Sequence, residues 1–149
     1  MGTILATIGL GIMVGLPGAG SAIGLTIAAA AVIGMTKKRP EAFANGLILS
    51  ALPATQGLYG FVAFIMYNEV INSEITIFQG GVVLGASIAI GIAALISAIQ
   101  QGKTCANGIS ALGSGHDVFG KTFILAAFPE FYAILSLVAV ILMRNLILL

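Results

Sequence analysis

The sequence predicts an all-α integral membrane protein with four transmembrane helices arranged as two tandem hairpins. Three observations carry this. The 149-residue chain is 59% hydrophobic and 7% charged, whereas a soluble domain carries about a quarter charged residues; mean hydropathy is +1.14. Its apolar residues form four runs, each long enough for the roughly 20 residues needed to cross hydrocarbon. Glycine occurs 20 times and tryptophan never, which suits membrane helices that approach closely. Backbone in lipid must satisfy its own hydrogen bonds. The alternating ten-residue strands of a membrane barrel are missing, which leaves helices. A net charge of +1 provides no basic footprint for nucleic acid, and the single Cys105 excludes an intrachain disulfide.

The first segment spans roughly 3–35. "MGTILATIGLGIMVGLPGAG" lacks the basic start of a secretory signal and stays apolar to Met35, so it reads as a retained helix. Ala6 stands where myristoylation wants Ser or Thr. Gly11, Gly15, Gly20 and Gly24 fall at small-xxx-small spacings. After "TKKRPEAFANG" the second segment, 42–67, carries "LPATQGLYG", in which Leu52, Thr55, Gln56 and Tyr59 are three and four apart and share one helical face. "YNEVINSEIT" follows, with Glu69 and Glu74 and no Lys or Arg. The third segment, 76–101, has Gly81, Gly85 and Ala89 and ends "SAIQQGK". Gln100 or Gln101 could add an amide oxygen to a site; they point about 100° apart, and spacing does not choose between them. "QGKTCANGISALGSGHDVFGK" reads as the third loop, with Cys105 and His116 solvated. The fourth segment, 120–146, is bulky like the second: Phe123, Phe128 and Phe131 match Phe43, Phe61 and Phe64 in character. Thin first and third helices fit the inside of a ring, and thick ones the outside; the same small-residue spacings fit dimer-type packing within one bundle equally well.

Lys37, Lys38 and Arg39 lie in the first loop, and Lys103 and Lys121 in the third. The positive-inside rule therefore puts loops at about 35–42 and 102–121 in the cytoplasm and both termini outside. Arg144 falls on the other side, near enough to the chain end to snorkel.

The chain also repeats itself. "GAGSAIG" (18–24) pairs with "GASIAIG" (85–91) at an offset of 67, and "ALPAT" (51–55) with "AFPEF" (127–131) at 76. A longer third loop is expected to absorb the difference. Hairpin one then covers about 3–67 and hairpin two about 76–146, in a single domain. Glu130 matches Ala54, so one carboxylate serves four helices.

That carboxylate lies in "ILAAFPEFYAILSLVAVIL" (124–142). A charge near a helix centre costs about 2.5–3.5 kcal/mol on insertion scales. Along a straight helix Lys121 and Arg144 are roughly 13 and 20 Å away, too far to pair with it. An intramembrane acid of this kind reads as an ion or proton site. Pro53 and Pro129 place Thr55 and Gln56 near its depth, and each can free a carbonyl one turn earlier. Oxygen-rich sites with irregular backbone are how membrane helices hold small hard cations. No Ser-His-Asp set or metal-ligand spacing occurs, so no catalytic site is expected in this chain. "GLPGAGSAIG" has neither a preceding strand nor the Gly-Lys-Ser/Thr ending of a phosphate loop.

With a duplicated hairpin, Gly-rich odd helices and a lone Glu in the fourth, the whole chain resembles the proteolipid (K/c) subunit of V-type and A-type rotary ATPases. "LPATQGLYGF" is the most specific stretch, and with "QGK" and "PEFYAIL" it resembles the bacterial sodium-translocating branch. Pro129 departs from some sodium-type relatives, which place another apolar residue there. The resemblance implies a homo-oligomeric rotor ring in the lipid of a bacterial plasma membrane, odd helices inside and even helices outside, with one ion per copy. The ring would turn against a stator subunit whose essential arginine displaces the ion, and central-stalk subunits at the cytoplasmic loops would couple rotation to ATP hydrolysis. It further implies that Glu130 is the ion-translocating carboxylate. The Leu52 carbonyl, Thr55 Oγ, the Gln56 amide oxygen and Gln101, now selected over Gln100, would join it as Na⁺ ligands, with Tyr59 latching the site. A proton needs only a bare carboxylate, so the added oxygens favour Na⁺, with H⁺ as the alternative. A small four-helix ion-coupled multidrug exporter fits less well: its key acid lies in the first helix, and it has no tandem repeat.

Overall fold

The computed structural model describes residues 1–69, 71 and 74–148. Among these, four helical stretches are long and apolar enough to cross a membrane: Gly2–Thr36, Pro40–Asn68, Ile77–Gly113 and Phe119–Arg144. Helix α1 (Gly2–Thr36) runs unbroken through Pro17. The second stretch is assembled from a 3₁₀ turn at Pro40–Ala42, α2 (Phe43–Ala51), a second 3₁₀ turn at Leu52–Ala54 and α3 (Thr55–Asn68). Helix α4 (Ile77–Gly113) opens on a capping box in which Thr76 Oγ accepts from the Gln79 N–H and Gln79 Oε1 accepts from the Thr76 N–H. Helix α5 (Phe119–Arg144) continues through Pro129.

The two matched prolines thus act differently. Each lacks the N–H that a helix interior would use. At Pro53 the chain tightens to a 3₁₀ turn, and both the Thr55 N–H and the Thr55 hydroxyl donate to the Leu52 carbonyl. Phe131, the counterpart of Thr55 in α5, has no hydroxyl to make that second bond.

Helices α1 and α4 pack most extensively on one another, with α5 against α4 and α2–α3 against α1. Glycine permits the closest approaches: a Cβ on Gly102 would lie 2.6 Å from the Gly24 Cα, and one on Gly20 would lie 2.6 Å from the Leu95 Cα. Of the expected small-residue stripes, Gly20 and Gly24 serve this contact, whereas Cβ atoms at Gly11, Gly15 and Gly81 would meet nothing within 4 Å. Two apolar clusters fill the bundle. One holds Met13, Ala63, Tyr67, Val83, Ile90 and Val140; the other holds Ala28, Leu49, Cys105, Ile109 and Ala126. On every helix the residues between the two clusters include polar ones, among them Ser21, Gln56, Ser97, Gln101 and Glu130. Phe61, Phe128, Phe131, Leu135 and Leu142 face outward, as lipid contact requires.

The third span does not end near 101. It runs to Gly113 and leaves a connection of only 114–118, turned by Gly115 at φ 93. Residues 102–113, expected as loop, form an amphipathic helix. Gln101, Gly102, Cys105, Gly108, Ile109 and Leu112 are buried along one face, while Lys103, Asn107 and Ser110 are exposed on the other. Cys105, expected in a solvated loop, is therefore fully buried; His116 is exposed. Arg144 does more than snorkel. Its Nε donates to the Met66 carbonyl at 2.9 Å and its guanidinium lies 3.6 Å from the Glu69 carboxylate, tying α5 to the end of α3. Residues 70, 72 and 73 of the expected second loop lie outside the described residues.

Candidate ion-binding site

Glu130 is half-buried on α5. One carboxylate oxygen, Oε1, accepts from the Tyr59 hydroxyl at 2.7 Å; the other, Oε2, accepts from Gln101 Nε2 at 3.0 Å. The ion pairs among the described residues are Arg39–Glu41 and Arg144–Glu69, so none of these side chains balances Glu130 with a positive charge. Two neutral donors, the Tyr59 hydroxyl and the Gln101 amide, fix the position of its carboxyl group.

Beside it, Thr55 Oγ lies 3.1 Å from the Leu52 carbonyl oxygen and 3.2 Å from Gln56 Oε1. Three oxygens from one turn of backbone are thereby gathered, because the 3₁₀ turn at Pro53 brings the Leu52 carbonyl under the Thr55 side chain. Gln56 Nε2 donates to Gln101 Oε1 at 2.9 Å, and Gln101 Nε2 also donates to the Ala126 carbonyl at 2.8 Å. Gln56 and Gln101 are completely buried. The fold brings together Leu52, Thr55, Gln56, Tyr59, Gln101 and Glu130, and leaves Gln100 exposed and outside the hydrogen-bonded set.

Two residues escaped the sequence reading. Ser97, 5% exposed, donates to the Pro129 carbonyl at 2.8 Å and accepts from Gln56 Nε2 at 3.2 Å. Ser21 accepts from the Gly57 N–H at 2.8 Å. The signal for Ser97 was present: it lies four residues before Gln101 and so on the same face.

Among the described residues no three His, Cys, Asp or Glu side chains gather as a metal centre. One carboxylate with neutral hydroxyl, amide and carbonyl oxygens instead matches a single positive charge on a hard cation, or a proton on the carboxylate alone. Every buried side-chain N or O among the described residues has a hydrogen-bond partner.

Comparison with known proteins agrees with the resemblance drawn from "LPATQGLYGF". The family of the ATP synthase C subunit matches twice, over residues 8–67 and 84–143. The copies are 76 residues apart at both ends, which replaces the expected 67-residue pairing of "GAGSAIG" with "GASIAIG". At 76, "SAI" at 21–23 falls on "SAI" at 97–99, and the end of α4 matches the end of α1 rather than a lengthened loop. V-type sodium ATPase subunit K of Enterococcus hirae is 40% identical over 92% of this chain and 88% of its own. A-type ATP synthase subunit K of Methanocaldococcus jannaschii is 36% identical over 94% of this chain and 61% of its own. The 16 kDa proteolipid of the human V-type proton ATPase is 19% identical over 85% and 81%. Matched over both its halves, the chain belongs to the ATP synthase C-subunit family and carries two copies of the family's unit in tandem.

Proposed function

We propose that this chain is the ion-carrying rotor subunit of a V/A-type ATPase, binding one Na⁺ at Glu130 and moving it past a stator as a ring of copies turns. The single observation that carries the reading is the chain of hydrogen bonds that runs from Glu130 through Gln101 to Gln56 and on to the Thr55 and Leu52 oxygens, with Tyr59 on the other carboxylate oxygen. A similar chain is a sodium ATPase subunit, which supports Na⁺ over H⁺.

The physical logic is charge compensation. An ionised carboxylate is costly in lipid, so a site can move through lipid only when a cation or proton neutralises it. Na⁺ at Glu130 would be completed by the Leu52 carbonyl, Thr55 Oγ and the amide oxygens of Gln56 and Gln101. Gln101 presents its N–H to the carboxylate here; to offer its oxygen it turns over, so the ion and that N–H exchange places. Tyr59 holds the other carboxylate oxygen and fixes its direction. At the stator, an arginine pairs with Glu130 through two parallel hydrogen bonds and displaces the ion. The connections around 37–39 and 114–118, flanked by Lys37, Lys38, Arg39, Lys103 and Lys121, face the cytoplasm and the central stalk, both termini face outward, and hairpins 3–67 and 76–146 form one domain.

Carbodiimide labelling tests this. The reagent attacks protonated carboxyls in apolar surroundings, so its adduct should map to Glu130 and increase as pH falls. Na⁺ should suppress labelling, most clearly near neutral pH, and K⁺ far less. Labelling indifferent to Na⁺ at every pH would leave the rotor but make the proton its ion. No adduct at mildly acidic pH without Na⁺ would remove the rotor reading.

A further inference from the structure

We infer that Ser97 is a positioning residue of the cation site, acting through Gln56; the inference rests on the Na⁺ reading above. Its hydroxyl has one hydrogen and gives it to the Pro129 carbonyl, which can only accept. What Ser97 offers Gln56 is therefore a lone pair, and the Gln56 amide must face it with Nε2. The opposite end of the amide, Oε1, is then turned to Thr55.

Gln101 imposes the same polarity on Gln56 only while its own oxygen faces Nε2. Once that oxygen turns to a bound cation, Ser97 Oγ is the acceptor left for Gln56 Nε2. Without it the Gln56 amide would carry an unsatisfied buried N–H or would turn its oxygen away from the ion. The repeat sharpens the point. Ser21 occupies the corresponding place in the first copy, yet it accepts from a backbone N–H at Gly57 and touches no amide side chain. The serine that reaches the amide network is in the copy that holds the carboxylate, and the bond to Pro129 anchors it to the residue just before Glu130.

The test is Na⁺ protection of Glu130 against carbodiimide in the full chain, purified from membranes in its native assembly. Ser97→Ala should raise the half-protecting Na⁺ concentration by about three- to tenfold, the scale of one buried hydrogen bond, with Na⁺-free labelling at acidic pH unchanged. Ser97→Cys, which opens no space but bonds poorly, should do the same and covers the case in which Ser97→Ala fails to assemble. Ser97→Thr, which keeps the hydroxyl, should stay within about twofold of wild type. In a Gln56→Ala background, replacing Ser97 should add no further shift. Wild-type protection in Ser97→Ala or Ser97→Cys would overturn the inference, as would an equal shift in the Gln56→Ala background. Failure of the underlying reading shows separately, as a wild-type chain that Na⁺ does not protect.

Discussion

Glu130 is the residue on which the rest turns, and neutral donors hold both of its carboxylate oxygens. Replacing it with Gln keeps shape and removes charge, so the chain should still assemble, since an amide is cheaper in lipid than a carboxylate. Ion transport and coupled ATPase activity should be lost; normal transport by reconstituted Glu130→Gln would sink the assignment. Thr55→Ala and Gln56→Ala each remove one oxygen and should weaken Na⁺ binding by about 1–3 kcal/mol, measured by calorimetric titration. Wild-type affinity in both would favour the proton. At this scale the sequence was informative where spacing was local. Leu52, Thr55, Gln56 and Tyr59 could be read from one "LPATQGLYG" stretch because three-and-four spacing fixes a face. Spacing puts Ser97 on the face of Gln101 as well, but it does not say what Ser97 bonds to, because that depends on which way two amides from different helices point.

At the scale of the element, α4 shows why polar letters do not make a loop. Lys103, Thr104, Asn107 and Ser110 suggest solvent, yet Gly102, Cys105, Gly108, Ile109 and Leu112 keep a buried face in register with Gln101. Length of apolar run was the wrong measure; helical period was the right one. Glycine counts were similarly coarse, since only contact tells which glycines matter. A methyl at Gly102 would strike the Gly24 backbone, so Gly102→Ala should destabilise the bundle by about 1–3 kcal/mol, the usual cost of overpacking. A lower melting temperature in detergent checks this, and an unchanged one would contradict the α1–α4 contact.

At the scale of the whole molecule, four spans and their duplication were legible from hydropathy and from the Pro53/Pro129 match, whereas the uniform 76-residue offset was obscured by a chance likeness between two Gly-rich stretches. Helix α1 keeps Gly11, Gly15 and Gly18 open on one side. If copies pack there, Gly15→Leu should leave the single chain folded, because no atom of its own lies near, but reduce the assembly to smaller species. Native mass in mild detergent reads this directly, and a wild-type mass would place the contact elsewhere. The central claim, that each chain holds one Na⁺ at Glu130, is tested most directly by equilibrium binding of sodium-22 to the purified assembly across pH. Saturable binding of one Na⁺ per chain is expected, weakening as pH falls because protons compete for the same carboxylate, and vanishing in Glu130→Gln. Binding that persists in Glu130→Gln, or no saturable binding at any pH, would contradict it.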